Sequence, residues 1–415
     1  MDSFFKTHKY LLEQLGEPLR RGLMDEADWQ QPLIGIEGSR GVGKTTLLLM
    51  LAKELCGVQG GECLYLNLNS FYFQTHRLSE VAQELWQRGV RRLLLDQLHK
   101  LPRWAEELRA IHETLSGMKV VFAASSVMSV ADEYESLRDI VRTYQLRGLS
   151  LREYINVKAG LDLRRRTLEE VMRDYGAISM QVARRCDAGL LLDDYLQRGY
   201  YPFFLERSRY SGYLLKLMNM MIEVDIMMVK QIEVKYMGRI KALLYHLATL
   251  GDNVPNVSRL SKEIGTSRAT VMNYIRYLAS ARLVDVMYKT DKGASGSLLQ
   301  KAPVGLRRDS RGLQPTESRK PVRIAMHNPN LLHAILPHRV ERRAMLECFF
   351  LSALRPGHEV SVGERGCDYV VDGRWRFRIV ERAPQRKQRG VCYLTDSAAS
   401  PRDGLVPLWV LGLLY

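Results

Sequence analysis

The chain has 415 residues, of which 46% are hydrophobic and 26% charged, an ordinary globular composition with enough length for two or three domains. The terminal apolar stretch 405–415 is shorter than the ~20 residues that span a bilayer, and the N-terminus lacks a secretory signal pattern. We therefore expect a cytoplasmic protein with no membrane role. The 61 basic and 46 acidic residues give a net charge of +15, which favours polyanions such as nucleic acid.

The first 150 residues alternate short apolar runs with helical stretches. These runs are too short for helices and almost continuously apolar, which is typical of buried parallel strands: 33–38, 63–70, 91–97, 119–126 and 143–150. The pattern predicts an α/β fold with a parallel sheet over residues 1–150. Residues 151–240 are poor in strands and carry apolar residues at helical spacing, so we predict a helical lid or connector there.

Residues 241–320 are predicted to form a winged-helix domain. Ser258 is the expected cap of a first short helix and Ser267 of a second, with a turn at Gly265 between them, as in a helix-turn-helix. The second helix is expected to bury Val271, Tyr274, Ile275 and Leu278. A polar stretch follows in which residues 286–320 hold eight basic and three acidic residues, a local charge of +5, so we predict a basic loop or wing.

The last segment, residues 321–415, is predicted to be a small α/β domain. It contains one helical pattern at residues 341–354. Three strand-like runs accompany it: CDYVVDG at 367–373, WRFRIV at 375–380 and LVPLWVLGLLY at 405–415.

One motif carries specific chemistry. The sequence GSRGVGKT at residues 38–45 fits GxxxxGK[ST], and it follows an apolar strand and precedes a helix, as a phosphate-binding P-loop requires. The glycines let backbone N–H groups surround the phosphates, Lys44 reaches the β- and γ-phosphates, and Thr45 holds Mg²⁺. The sequence therefore predicts binding of ATP or ADP with Mg²⁺ by Gly38, Ser39, Arg40, Gly41, Val42, Gly43, Lys44, Thr45 and Thr46.

A second element, an apolar run that ends in an acid, follows about fifty residues later. Leu93, Leu94, Leu95 and Asp96 form an apolar run that ends in an acid, so Asp96 is the expected magnesium-side carboxylate. Many ATPases of this kind continue with a glutamate that activates the attacking water, whereas this chain has Gln97. Glutamine cannot accept a proton, and a general base is commonly worth ~10² to 10⁴ in rate. Either the protein is a naturally slow hydrolase, or the residue has been exchanged to trap nucleotide.

Two further groups are candidates for sensing or stabilising the γ-phosphate. Ser125 and Ser126 end the fourth apolar run, where a hydroxyl can contact that phosphate, although ordinary loop serines fit equally well. Arg138 is the candidate arginine finger toward a neighbouring subunit of a homo-oligomer, with Arg142 and Arg147 as alternatives. The plainer interpretation is that these arginines are simply exposed to solvent.

The motifs together resemble a known family. The P-loop, LLLDQLHKLPRWAEELRAIHE, VVFAASS, LRGLSLREYI and CDYVVDGRWRFRIV are similar to prokaryotic AAA-class (ASCE P-loop) ATPases that carry a winged helix and a C-terminal restriction-endonuclease-like domain of unknown function. The shared residues include the LSxREY segment and the GYYP turn, namely Leu149, Ser150, Arg152, Glu153, Tyr154, Gly199, Tyr200, Tyr201 and Pro202. The resemblance implies nucleotide binding by the P-loop and magnesium binding by Asp96.

Several positions depart from the family pattern. The acid after Asp96 is missing, and the usual Thr-Gly before the paired serines is Ala123-Ala124. In the nuclease-like domain, Glu347 and Asp368 stand where the fold places metal-binding acids. The acid-x-Lys expected on the next strand reads Arg378-Ile379-Val380. Because a magnesium nuclease needs clustered carboxylates, we expect a binding or scaffold module there.

The favoured function is an ATP-binding AAA-class protein whose nucleotide state acts on a winged helix that binds double-stranded DNA. DNA contacts are expected from Arg268, Asn273 and Arg276 on the second helix and from Arg307, Arg308 and Arg311 in the basic loop. In the alternatives, the winged helix is only a packing domain, or the protein is a nucleotide-gated protein-interaction switch without a DNA role. An ATP-driven nuclease is disfavoured by the missing acid.

Overall fold

The computed structural model describes residues 1–57, 61–125, 136–205, 210–227, 232–251, 254–288, 321–364, 366–382, 384–396 and 405–415. The chain divides into two compact units, Met1–Gly148 and Leu149–Tyr415. No helix among these residues is long and apolar enough to cross a membrane.

The N-terminal unit alternates helices and strands. Its helices are α1 (Asp2–Gln14), α2 (Leu23–Glu26), α3 (Lys44–Cys56), α4 (Leu78–Gln87) and α5 (Trp104–Thr114), and short 3₁₀ turns occupy Phe71–Gln74 and Leu98–Lys100. Its strands are β1 (Leu33–Gly38), β2 (Cys63–Asn67), β3 (Arg92–Asp96), β4 (Lys119–Ser125) and β5 (Arg142–Gln145). All five predicted strands are present, although all but β1 are shorter than predicted, β2 and β5 most of all.

These strands form one parallel sheet in the order β2-β3-β4-β1-β5. Alternate side chains point to opposite faces. One face, with Leu66, Leu95 and Phe122 in register, packs against the apolar sides of α4 and α5, and α3 packs on the sheet through β2, β3 and β4. The strand order places β4 between β1 and β3, so the P-loop strand and the Asp96 strand flank it.

The C-terminal unit begins with helices. They are α6 (Leu151–Ala159), α7 (Leu168–Ala183), α8 (Ala188–Arg198), α9 (Tyr210–Met220) and α10 (Met237–Ala248). Three short helical segments lie between these helices: Pro202–Leu205, Met221–Ile226 and Val234–Tyr236. Ser150 and Glu153 form a capping box at α6, in which each satisfies the other's backbone N–H. The conspicuous serine and glutamate of the LSxREY segment therefore start a helix.

A buried amide organises the region around the GYYP turn. Asn330 has no solvent exposure, and its Nδ2 donates to the carbonyl oxygens of Tyr195 and Leu196 at 2.8 and 2.9 Å. Its Oδ1 accepts from the Tyr200 N–H at 2.8 Å and from the Tyr210 hydroxyl. Asn330 lies in α13 (Pro329–Ile335). Its side chain thus joins α13 to α8, to the turn after α8 and to α9.

The predicted helix-turn-helix elements follow α10. They are α11 (Val257–Glu263) and α12 (Arg268–Ser280), followed by β6 (Val284–Tyr288). Ser267 caps α12 as predicted, but the cap of α11 is Asn256 rather than Ser258, because the Asn256 side chain accepts from the Arg259 N–H. β6 pairs antiparallel with β7 (Pro321–Met326), so this hairpin crosses the predicted domain boundary at residue 320.

The remaining strands form a second five-stranded sheet, in the order β12-β11-β10-β9-β8. They are β8 (Val360–Val362), β9 (Tyr369–Val371), β10 (Trp375–Ile379), β11 (Val391–Thr395) and β12 (Leu405–Pro407). The predicted helix is α14 (Arg342–Leu354), whose Phe350 stacks on Tyr369 and meets the edge of Phe377. The strand predicted over 405–415 is wrong beyond Pro407, where the apolar residues Leu408–Leu413 form a buried 3₁₀ helix.

Candidate functional site

The P-loop connects β1 to α3 at the carboxyl edge of the sheet. Gly41 and Gly43 have φ angles of 86° and 97°, in the left-handed region that only glycine adopts readily. Gly38 is required for a different reason, since a Cβ there would lie 2.3 Å from the carbonyl oxygen of Leu146. The glycines of the motif therefore satisfy backbone and steric demands of this turn, and α3 begins directly after it.

Lys44 is the first residue of α3. Its Nζ donates to the carbonyl oxygens of Gly38 and Ser39 at 2.8 and 2.9 Å. These contacts hold the ammonium group against the loop, beside the positive end of the α3 dipole. A cation and a helix N-terminus together form the kind of site that binds phosphate groups.

Asp96 lies at the end of β3 and is only 4% exposed. Its Oδ2 accepts from the Thr45 hydroxyl at 2.6 Å and from the Tyr65 hydroxyl at 2.9 Å, and its Oδ1 accepts from the Gln97 N–H at 2.8 Å. The structure thus brings Thr45 and Asp96, which are 51 positions apart, into direct contact. A hydroxyl oxygen beside a carboxylate is the hard oxygen chemistry that suits Mg²⁺, so these residues fit the ion.

Gln97 follows Asp96 in a left-handed conformation, with φ of 59°, and occupies the N-cap position of the 3₁₀ turn Leu98–Lys100 without a side-chain capping bond. This places residue 97 at the carboxyl edge that also carries the P-loop. Its carboxamide can donate and accept hydrogen bonds but cannot take a proton from water.

The predicted sensor serines and candidate arginine fingers lie outside the P-loop. Ser125 ends β4 and stands opposite Gly38 in the register of β1 and β4, so the first residue of the P-loop and this serine are neighbours. Ser126 lies outside the described residues. Arg138 is exposed in the turn at 136–140, Arg142 is exposed on β5, and Arg147 is half-buried. The sensor and finger roles stay predictions.

Two residues of this region were missed in the sequence. Tyr65 lies within an apolar strand, where its hydroxyl is easily overlooked. Its burial and the adjacent Asp96 charge raise its pKa, so the hydroxyl stays protonated and continues to donate. Arg21 lies before the sheet, in no recognisable motif. It is 7% exposed and donates to the carbonyl oxygen of Val42 at 3.0 Å.

Arg21 has a second set of contacts. Its Nη2 donates to the carbonyl oxygens of Arg147 and Gly148 at 2.8 and 3.1 Å. One guanidinium group therefore joins the P-loop backbone to the last two residues of the N-terminal unit. These tertiary contacts with backbone carbonyl oxygens leave no trace in the sequence.

The predicted DNA-contacting residues of α12 differ in exposure from one another and from its apolar stripe. Arg268 is exposed at the first turn, whereas Asn273 and Arg276 are half-buried. The stripe itself, Val271, Tyr274, Ile275 and Leu278, is buried as predicted. Arg307, Arg308 and Arg311 lie outside the described residues.

The acids of the C-terminal sheet are held by arginines. Arg343 reaches Glu347 through Nε at 3.0 Å and Asp368 through Nη2 at 2.9 Å, and Arg323 lies 3.4 Å from Glu347. Glu347 is 3% exposed and also accepts from the Tyr369 hydroxyl at 2.9 Å. The guanidinium groups of Arg323 and Arg343 thus neutralise the charges of Glu347 and Asp368, the two acids that the family resemblance predicted as metal ligands.

The comparisons with known proteins agree with the P-loop geometry. Residues 30–155 match the family model described as AAA domain, and residues 189–310 match a domain of unknown function (DUF8612). The second match crosses our predicted boundary at residue 240. None of the curated proteins compared with the chain matches it. The N-terminal region is therefore an AAA-class P-loop domain, of a class that binds nucleotides.

Solved structures show weaker similarity. One is the RuvB Holliday junction branch migration motor of Thermotoga maritima, with 17% identity, coverage of 68% of this chain and 89% of that chain, and a TM-score of 0.26. Another is PCH-2 of C. elegans, with 14% identity, coverage of 67% and 66%, and a TM-score of 0.23.

Proposed function

We propose that the protein is an ATP- and Mg²⁺-binding AAA-class switch that hydrolyses ATP slowly and whose nucleotide state acts on a DNA-binding winged helix. The observation that carries the nucleotide assignment is the 2.6 Å contact between Thr45 and Asp96 directly beside Lys44. This arrangement joins a phosphate-binding cation to two oxygen ligands for magnesium at one edge of the sheet.

Each residue of the site has a defined task in this proposal. Lys44 exchanges its carbonyl contacts for the β- and γ-phosphates, while Thr45 and Asp96 hold the magnesium ion. Bound Mg²⁺ would neutralise charge on the phosphates. Tyr65 fixes Asp96 by donating to the same oxygen as Thr45 does. Gln97 orients water but does not accept its proton, so binding is retained while turnover is slow.

The DNA-binding part of the proposal rests on α11, α12 and the β6–β7 hairpin. Arg268 at the exposed start of α12 is suitably placed for a phosphate or a base edge. The charge of +15 supplies a general attraction to DNA. Arg138 is proposed as a finger that acts on a neighbouring copy of the chain.

The decisive experiment measures ATP binding and turnover side by side, with and without duplex DNA. Lys44→Ala should abolish ATP binding measured by titration calorimetry. Lys53→Ala is the matched control, because it removes a lysine from the last turn of the same helix. Unchanged ATP affinity in Lys44→Ala would overturn the nucleotide assignment.

The DNA-binding part of the proposal is tested separately by fluorescence anisotropy, with duplexes of several different sequences at several salt concentrations. Arg268→Ala and Arg276→Ala should alter sequence preference if these side chains reach a groove. Absence of duplex binding at low salt, with and without ATP, would replace DNA by a protein partner and leave the nucleotide assignment intact.

A further inference from the structure

The C-terminal sheet contains an unusual connection. β10 and β11 are parallel neighbours, with Arg376 opposite Val391 and Arg378 opposite Tyr393. Parallel neighbours are usually joined by a crossover helix that covers one face of the sheet. Here residues 380–390 make the crossover, and those that the structure describes form no helix. Arg378 on this side of the sheet is exposed, although Tyr393 beside it is buried.

The crossover lies on the face that carries Arg376 and Arg378. Tyr393 shares this face because it is in register with Arg378 on the adjacent parallel strand. The Gln388 N–H donates to the Tyr393 hydroxyl at 2.9 Å, which fixes the crossover over the same side. The opposite face, with Phe377, packs against Phe350 of α14.

The segment from β10 through the crossover is strongly basic. Residues 374–389 contain seven basic residues and one acid, Glu381. We define the arginine face as the two strand residues together with the arginines of the crossover: Arg376, Arg378, Arg382, Arg386 and Arg389. Four of the five are exposed and Arg376 is half-buried.

The arginine face also differs from the opposite side in its ion pairs. Within the described part of the chain, none of its five arginines pairs with a carboxylate. By contrast, Arg323, Arg342 and Arg343 all contact acids. A cluster of five like charges with a single acid, Glu381, in the same segment opposes folding by mutual repulsion. An external anion would relieve that repulsion.

The chemistry of the patch favours a phosphodiester backbone. All five residues are arginines, whose planar guanidinium groups bind phosphate in bidentate geometry. No large apolar side chain is strongly exposed among the described residues from 321 onward, so the apolar contribution that anchors membrane-surface proteins is missing there. We propose that the arginine face is a second nucleic-acid-binding surface, separate from α12, which contacts phosphates and makes no base-specific contacts. This surface goes beyond the proposed winged-helix contact.

The test compares two charge-matched variants of the full chain. The first carries Arg378→Gln, Arg382→Gln, Arg386→Gln and Arg389→Gln, and it keeps the half-buried Arg376 so that the sheet is preserved. The control removes four exposed cations elsewhere, through Lys9→Gln, Arg184→Gln, Arg185→Gln and Lys216→Gln. The affinity of each variant for a 30-base-pair mixed-sequence duplex is measured by anisotropy at several salt concentrations. Thermal unfolding checks that each variant is folded.

If each lost arginine contacts one phosphate, the slope of log affinity against log salt should flatten by about 3 to 4, and affinity at 0.1 M salt should fall by at least about 10²-fold. The control should retain the original slope within about one unit. Duplex should also protect the Arg382–Arg389 segment from trypsin in the unchanged chain. Arg268→Ala should leave that protection in place, which separates this surface from the winged helix.

Three results would overturn the proposal. The first is an equal loss of affinity in both variants, since that reports net charge alone. The second is duplex binding in the unchanged chain without protection of the crossover. The third is arginine-dependent binding to vesicles containing anionic lipid with no arginine-dependent binding to duplex, which would assign the surface to a membrane.

Discussion

Replacing Gln97 by glutamate should restore the proton acceptor that the site lacks. A positioned general base contributes ~10² to 10⁴ in rate, or about 2.7 to 5.4 kcal/mol of barrier at about 1.36 kcal/mol per factor of ten. The surroundings of residue 97 are compatible with the change. Residue 97 already has its left-handed backbone, and Asp96 keeps its hydrogen bonds from Thr45, Tyr65 and the residue-97 N–H.

The assay is phosphate release at saturating ATP and Mg²⁺, alongside titration calorimetry for affinity. Gln97→Glu should increase turnover by at least about 10²-fold with little change in affinity. Gln97→Ala should show no increase, and Lys44→Ala in the Gln97→Glu background should abolish the gain. Turnover near 1 s⁻¹ in the unchanged chain, or no gain in Gln97→Glu, would refute the assignment of residue 97 to the water-activating position.

Two further predictions concern stability. Asn330→Ala leaves several buried hydrogen-bonding groups unpaired and should cost about 3 to 6 kcal/mol in denaturant unfolding, whereas the exposed Asn219→Ala should change stability by less than about 0.5 kcal/mol. Burial lowers the pKa of His8, whose Nδ1 accepts from the Tyr65 N–H. The unfolded chain therefore binds more protons below about pH 6.5, and stability present above that pH should decline toward pH 5. His8→Gln should weaken this dependence in thermal scans, and an unchanged pH profile would contradict it.

The sequence predicted the N-terminal parallel sheet well because its signals are local. Strand length, apolar continuity and the glycine spacing of the P-loop each follow from neighbouring residues, and β1 to β4 formed close to where they were expected. Thr45 and Asp96 were each predicted to hold Mg²⁺, whereas their direct hydrogen bond was not predicted.

The parts that the sequence missed depend on distant contacts. The bonds of Arg21 go to backbone carbonyls, which any residue supplies, so no pattern marks them. Ser258 was an acceptable cap, but Asn256 begins the helix two residues earlier. At 405–415, a continuous apolar run was compatible with either a strand or a buried helix. After Pro407 the chain forms a buried 3₁₀ helix, because packing inside the C-terminal unit outweighs the local pattern.

The position of Arg21 sets the natural end of a minimal nucleotide-binding fragment. A fragment that stops at the end of β5 would remove the carbonyl oxygens of Arg147 and Gly148, although the strand order of the sheet would be complete. The guanidinium group would then lose two of its acceptors in a largely buried place, which is costly for a charged group. Truncation or domain grafting should therefore retain the chain through Gly148, three residues beyond the last strand.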